Sequence, residues 1–324
     1  MSQAFNTLAT KGNLNNQIGV PLTVLGMDRS NQYAIIEMGA SHPGDIRELV
    51  GICNPDWGII TNVGKAHLLG FGSFEGVKST KGELYDFIRA KGGRIFLNAD
   101  NPHLTEMAGG LDSIRYGKEM ADGLSVQGEL IGCTPCLKFR WRRCPDGEWH
   151  TIQTNLIGAY NMDNALAAIT IGLHFGVSDD MASDAIASYT PSNNRSQLTR
   201  TGRNSLVVDA YNANPTSMHA ALENFKLMEA DGKALILGDM RELGNASREE
   251  HVRIVRMIAD LGFTNVLLVG QEFNQAVIET GAPFQTFADA AQTGEYLKQQ
   301  CISGKTILIK GSNSIRLTTL VELL

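Results

Sequence analysis

Several polar clusters in this sequence stand just past strand-like runs, where an α/β chain keeps its ligands. Glu37 follows Tyr33-Ala-Ile-Ile and precedes Met38-Gly39, with Gly44-Asp-Ile46 close behind. A carboxylate placed there can reach a metal ion beside a phosphate, or it can be a solvated loop acid or a helix cap. Thr61-Asn-Val-Gly-Lys-Ala-His67-Leu follows Trp57-Gly-Ile-Ile, so His67 can be a metal or phosphate ligand or a structural histidine. Lys78-Ser-Thr-Lys81-Gly-Glu83 lies on the helical pattern after Gly76. Lys81 faces the strand ends if that helix packs on the sheet, and otherwise sits on a solvated helix surface.

Two further clusters lie downstream. Asn161 and Asn164 are three apart in Asn161-Met-Asp-Asn164-Ala-Leu-Ala-Ala168 and so share one face at a helix start. Their amides offer donor and acceptor together, which suits an adenine edge, while an N-cap on an ordinary helix is the other reading. Asp209-Ala-Tyr211-Asn212-Ala-Asn214-Pro215 crowds polar groups at a strand end. Pro215 suits the first helical turn, and a free helix N-terminus there would favour an anion. Two runs mislead. Gly304-Lys305-Thr306 ends like a phosphate loop, but Gln299 stands where the first glycine should be, and a strand follows instead of a helix. Cys133-Thr-Pro-Cys136, with Cys144 and His150, has zinc-ligand types but only one pair at knuckle spacing. Leu137, Phe139 and Trp141 alternate there as an ordinary strand.

Positioning these groups requires a particular frame. Strand-like runs at 33–37, 57–61 and 93–97 alternate with helical patterns at about 44–52, 74–91 and 101–109, so a parallel sheet is expected, with Glu37, Asn62 and Asp100 at strand ends. Between 120 and 158 the pattern alternates apolar and polar, and Pro145-Asp-Gly147 forms a turn, which predicts antiparallel hairpins with one wet face. Helices are expected near 162–175 and 179–189. Pro191-Ser-Asn-Asn194 reads as a linker. Strands at 206–209, 234–237, 266–269 and 306–309 then alternate with helices at about 215–230, 247–261, 272–279, 288–300 and 314–323. The fold class is therefore α/β: an ATPase-type parallel-sheet domain with an antiparallel subsheet over 1–194, then a Rossmann-like doubly wound domain over 195–324.

The 324 residues, 43% of them hydrophobic, suffice for two cores. A net charge of -6 without a basic tract argues against nucleic acid or an anionic membrane as partner. No apolar run is long enough for a membrane span, and Met-Ser-Gln-Ala-Phe-Asn lacks the marks of a signal peptide. Five cysteines do not make a disulfide framework, so the expected setting is cytoplasmic with reduced thiols.

Taken in order, the motifs resemble the Mur ligases, and within them the ligases that join D-alanyl-D-alanine to a UDP-N-acetylmuramoyl-tripeptide. Lys11-Gly-Asn-Leu-Asn-Asn16-Gln-Ile-Gly-Val-Pro21, Glu37-Met-Gly39, the 61–68 run, Lys81-Gly-Glu83 and Asn161-x-x-Asn164 all fit. Asp209-x-Tyr-Asn-Ala-Asn-Pro215 and Leu237-Gly-Asp-Met-Arg-Glu-Leu-Gly244, with His251 beyond, separate this group from other Mur ligases and from folylpolyglutamate synthases. The resemblance implies that ATP phosphorylates the tripeptide carboxylate and the dipeptide amine displaces phosphate. It implies two Mg²⁺ ions, one held by Glu37 and the second by His67, with a carbamylated Lys81 as a further metal ligand. Asn161, Asn164, Asp209, Tyr211 and Asn212 would hold the nucleotide, with Arg195 reaching its γ-phosphate. Asn15, Asn16, Asp239, Lys310 and Ser312 would meet substrates.

That family carries a Gly-Thr-Asn-Gly-Lys-Thr phosphate loop and a uridine-binding domain upstream of the segment matching Met1. Without them this chain is expected to turn over little by itself. A parallel sheet short of that strand would expose an edge, so self-association or disorder near residues 1–20 is expected. A non-catalytic binding module, or a related ligase of folylpolyglutamate or cyanophycin type, are the alternatives.

Overall fold

Short β-branched and aromatic runs form the strands, and stretches with apolar residues three or four apart form the helices that cover them. The computed structural model describes residues 1–64, 68–191, 197–210, 212–230 and 232–324. His67, Arg195, Tyr211 and the linker after Pro191 lie outside the described residues. The chain folds as two compact units, one of residues 1–131, 138–153 and 162–188, the other of 132–137, 154–161 and 189–324.

The first part runs β1 (Thr7–Ala9), α1 (Gly19–Leu25), β2 (Tyr33–Ile35), α2 (Asp45–Cys53), β3 (Trp57–Ile59), α3 (Leu68–Phe71), α4 (Phe74–Lys91), β4 (Arg94–Asn98), α5 (Pro102–Ala108) and β5 (Ser113–Gly117). It continues through β6 (Leu124–Cys133), β7 (Cys136–Arg143), β8 (His150–Ile157), α6 (Asn161–His174) and α7 (Asp179–Ser188). Strands β3 to β8 form one six-stranded sheet in sequence order, parallel from β3 through β6. The two-residue link Thr134-Pro135 joins β6 to its neighbour β7, which only antiparallel strands allow. Gly147 N donates to Arg143 O at 3.0 Å and closes the expected Pro-Asp-Gly turn. Inward residues Leu137, Phe139 and Trp141 are fully buried, as the alternation requires.

β1 and β2 form a separate two-stranded parallel sheet. The disorder expected near residues 1–20 is corrected here: Asn6 binds Ser30 and Gln32, Phe5 packs on Tyr33 at 4.9 Å, and Thr7–Ala9 pairs with β2. Tyr33 also packs on Phe175, and Phe175 on Trp57 of β3. These rings tie β2 beside β3 at the lower end of the strands without a ladder between them.

The second part runs β9 (Gln197–Arg200), β10 (Ser205–Asp209), α8 (Pro215–Leu227), β11 (Ala234–Gly238), α9 (Ser247–Asp260), β12 (Val266–Val269), α10 (Gln271–Thr280), β13 (Gln285–Phe287), α11 (Ala290–Gln300) and β14 (Thr306–Lys310). The strand order is β13-β12-β11-β14-β10-β9, parallel except for the β9 edge. Val207, Leu235 and Leu308 face Met218, Phe225, Val255 and Phe273 on one side of the sheet. Leu206, Ile236 and Ile307 face Leu297, Leu317 and Leu320 on the other. That two-sided burial is the doubly wound arrangement. The helix expected at 314–323 is instead two 3-10 segments, Asn313–Ile315 and Leu317–Leu323, broken at Arg316 with φ +59°. Gly304-Lys305-Thr306 leads into β14, so no helix N-terminus stands behind it.

Candidate functional site

In the first unit the upper ends of β2 and β3 flank a cleft of about 340 Å³. Its walls are apolar below, with Ile35, Ile36, Ile59, Ile60 and Leu84, and polar above, with Thr10, Glu37, Thr61 and Lys81. Glu37 is set by the short β1–β2 ladder: its N–H donates to Thr10 Oγ1 at 2.9 Å. Asn15 Nδ2 donates to Glu37 Oε1 at 2.9 Å, and Gly39 N donates to Asn15 O at 2.7 Å. A Cβ on Gly39 would lie 3.0 Å from the Asn15 side-chain amide, so a larger residue there would push against the group that holds Glu37. Asn16 does a different job: its Oδ1 accepts from the Ile18 and Gly19 amides at the start of α1.

Lys81 enters the cleft from α4. Its Nζ donates to Asn62 O at 2.7 Å, just past β3, and it makes no ion pair among the described residues. Burial holds its pKa below the usual lysine value. Two helical positions on, Glu83 is buried and accepts from the Gly44 and Arg47 amides and from the Arg47 guanidinium at 3.1 Å. It thereby pins the loop that follows Glu37. Asp45 adds to that loop by accepting from the Ser41 and His42 amides at 2.8 Å, which, with Gln17, hold its pKa low against the opposing effect of burial. Neither Thr10 nor the Asn62 carbonyl was legible as a site group. Thr10 acts through a register with residues 27 positions away, and a carbonyl carries no residue type.

Asn161 and Asn164 begin α6 as expected; Asn161 Nδ2 donates back to Ile157 O at 2.8 Å, and Asn164 is exposed.

In the second unit the ladder brings distant residues together. Asp209 and Lys310 are register partners in β10 and β14, and Lys310 is also level with Leu237 in β11. Lys310 Nζ donates to Asp209 Oδ2 at 2.6 Å and to Asn212 O at 3.4 Å, with only 1% of the lysine exposed. Asn212 Oδ1 accepts from the Ala213 amide at 2.8 Å. The helix N-terminus behind it is not free. Asn214 caps α8 by accepting from Ser217 N at 2.9 Å in a capping box, with Pro215 in the first turn.

At the end of β11, Asp239 is fully buried, and its carboxylate accepts from the Glu272 and Phe273 amides at 3.2 and 3.0 Å, at the start of α10. A Cβ on Gly270, at φ +124°, would lie 2.2 Å from that carboxylate. The Asp239 side chain thus faces the protein. Ser312 is buried beside it: its N–H donates to Asp239 O at 3.2 Å, and its Oγ accepts from Arg241 N at 2.9 Å. The structure therefore brings Glu37, Asn15 and Lys81 to one cleft and joins Asp209, Asn212, Asp239, Lys310 and Ser312 along three neighbouring strand ends.

The other candidate constellation is ordinary packing. His150 stacks on Trp141 at 4.8 Å and lies 3.5 Å from Asp179, while Cys133, Cys136 and Cys144 are half-buried thiols whose pKa values burial raises. Among the described residues no group of three or more His, Cys, Asp or Glu could hold a metal ion, and no helix is long and apolar enough to cross a membrane.

Comparison with known proteins agrees with this anatomy. The profile of the Mur ligase middle domain matches residues 1–172, and that of the Mur ligase glutamate ligase domain matches residues 194–313. The UDP-N-acetylmuramoyl-tripeptide--D-alanyl-D-alanine ligase of Escherichia coli K12 is 34% identical over 334 residues, covering 100% of this chain and 72% of that protein. The ligase of the same name from Bacillus subtilis is 31% identical, over 97% of this chain and 68% of its own length. A crystal structure of MurF from Acinetobacter baumannii superposes with a TM-score of 0.86 at 28% identity, covering 99% of this chain and 71% of that one. MurF from Thermotoga maritima, solved in complex with ADP, has the same fold with a TM-score of 0.85 at 22% identity.

Proposed function

The chain belongs to the Mur ligase family of ATP-dependent amide-bond ligases, and from that premise we propose that it carries the machinery that joins D-alanyl-D-alanine to a UDP-N-acetylmuramoyl-tripeptide in the cytoplasm. The observation that carries this reading is the convergence of Glu37 and a desolvated Lys81, without an ion pair among the described residues, on one cleft at the ends of parallel strands. A carboxylate is a poor acyl donor, and phosphorylation by ATP gives it a leaving group. The amine of the dipeptide then forms the C–N bond, and the C–O bond to phosphate breaks.

The residues of the cleft fit Mg²⁺ in donor type. Glu37 offers a carboxylate whose Oε2 takes no hydrogen bond among the described residues. An ammonium at position 81 would repel a cation, but its carbamate supplies hard oxygen instead. We assign Glu37 to one such ion, His67 to a second, and carbamylated Lys81 to the metal-binding set; when bound, the two ions would neutralise charge on the transferring phosphoryl and on the carboxylate. Asn15 orients the Glu37 carboxylate, and Asn16 holds the loop that carries Asn15. Asn161, Asn164, Asp209, Tyr211 and Asn212 serve the nucleotide, and Arg195 its γ-phosphate. Lys310 and Ser312 serve the incoming dipeptide, with Asp239 acting through the turn that it holds rather than by contact. The domain division that goes with these roles falls at 194/195.

The sheets leave a place for one more group of donors. β2 and β3 are not hydrogen-bonded to each other, and the apolar floor of the cleft lies between them. A strand carrying a glycine-rich loop would bring backbone N–H groups to the phosphates at the level of Glu37 and Lys81. A polypeptide of these 324 residues alone should therefore show negligible ATP- and dipeptide-dependent phosphate release. Fused behind the residues that precede the matching segment in the Escherichia coli relative, it should release phosphate with D-alanyl-D-alanine as acceptor and not with L-glutamate, L-aspartate or L-arginine. Turnover with one of those amino acids in place of the dipeptide would sink the assignment.

A further inference from the structure

His251 is a buried titratable group that the reading above does not use. It lies on α9 in the second unit, with 0% of its surface exposed. Both ring nitrogens have fixed partners. Nδ1 is 2.7 Å from Ser247 O, which can only accept, so Nδ1 carries a proton. Nε2 is 3.0 Å from Met240 N, whose N–H can only donate, so Nε2 is bare. The two partners select one neutral tautomer. Phe273 packs its ring against the imidazole at 4.7 Å, nearly perpendicular, and excludes water on that side.

Met240 stands between two residues already tied to the strand ends. Asp239 before it caps α10, and Arg241 after it donates its N–H to Ser312 Oγ. Glu242 follows in a left-handed conformation, φ +63°, which a non-glycine residue adopts only when its surroundings hold it there.

We propose that His251 is a positioning residue for the acceptor side of the reaction: its bare Nε2 fixes the Met240 amide and thereby the Asp239–Arg241 turn beside Ser312 and Lys310. This rests on the reading of the second unit as the acceptor-binding half. A proton on Nε2 would set two donors against each other and release the turn. The charged groups facing the ring are Asp239, 3.9 Å from Nε2, Glu272, which binds Ser247 Oγ, and Arg241. The two carboxylates and the Ser247 carbonyl favour a charged ring. Burial, the largest influence, and Arg241 oppose it and leave the pKa lowered.

The test uses the 324-residue chain labelled with nitrogen-15 at histidine. Long-range proton–nitrogen spectra should show the Nδ1–H tautomer at neutral pH. Hydrogen exchange should show the Met240 and Arg241 amides losing about tenfold in protection in His251→Phe, which keeps the ring bulk but has no acceptor, with β10 and β14 unchanged. His251→Gln, whose Oε1 can accept at the same place, should restore the protection. Acidification should lower it in the wild type with the titration of the ring, and should not in His251→Phe. An Nε2–H tautomer, or equal protection at Met240 in wild type and His251→Phe, would overturn the proposal. If His251→Phe does not fold, the wild-type tautomer and pH profile, with His251→Gln, still decide it. These readouts need no substrate, so they stand or fall separately from the acceptor assignment.

Discussion

Burial works against the charge on Lys81, and the only atom it binds among the described residues is a carbonyl oxygen. A lowered pKa means that the neutral amine, the form that reacts with carbon dioxide, is populated at lower pH than on a surface lysine. Carbon-13 bicarbonate should therefore give one carbamate resonance that develops at lower pH than on a surface lysine and is absent in Lys81→Arg. No such resonance in the wild type would remove Lys81 from the metal set. Asp209 and Lys310 make a different prediction. Both are largely removed from water, so Lys310→Met strands a carboxylate and should lower unfolding stability by about 3 kcal/mol in chemical denaturation. Replacing both, as Asp209→Leu with Lys310→Met, should recover most of that loss. At this scale the sequence carried residue types and strand-end positions. It did not carry the Asp209–Lys310 contact, which depends on two strands 101 residues apart becoming ladder neighbours. Nor did it tell that Asp239 would be spent on capping a helix.

At the scale of elements, a 3.6-residue apolar repeat was enough for α2, α4 and α9, and short uninterrupted apolar runs, buried on both faces, for the four central strands of the second sheet. It failed for β1, β9 and β13, each only three or four residues long and without a buried face of its own, and for the C-terminal helix, where Arg316 turns left-handed. Two junctions invite measurement. Gly270→Ala forces a side chain into the Asp239 carboxylate at an unfavourable φ, and should cost about 3 kcal/mol of unfolding stability. Asn214→Ala removes the cap on α8 and should cost only about 1 kcal/mol. Equal effects of the two in a thermal melt would mean that the turn at the end of β11 is slack rather than held by Asp239.

Across the whole molecule, composition and the restart of the βα rhythm after Pro191 were sufficient to anticipate the two main sheets, but not that the strand at 33–37 would pair with β1 apart from the strands at 57–61 and 93–97. They could not show that 132–137 and 154–161 pack with the second compact unit, because that follows from tertiary contacts rather than local pattern. The open ladder edges at β2 and β3, together with Ile18, Leu22 and Leu25 exposed along α1, present apolar surface that another chain can cover. Sedimentation velocity should show concentration-dependent association of the 324-residue chain, reduced by Ile35→Lys; a strictly monomeric species at all concentrations would contradict this.

The central claim concerns chemistry, an acyl phosphate captured by a dipeptide amine. Its most direct test is to label the terminal tripeptide carboxylate with oxygen-18 and follow the label in the 324 residues fused behind the segment that precedes the matching one in the Escherichia coli relative. The account predicts one labelled oxygen in each phosphate released, and a new amide only when D-alanyl-D-alanine is present. Unlabelled phosphate accompanying amide formation would contradict it.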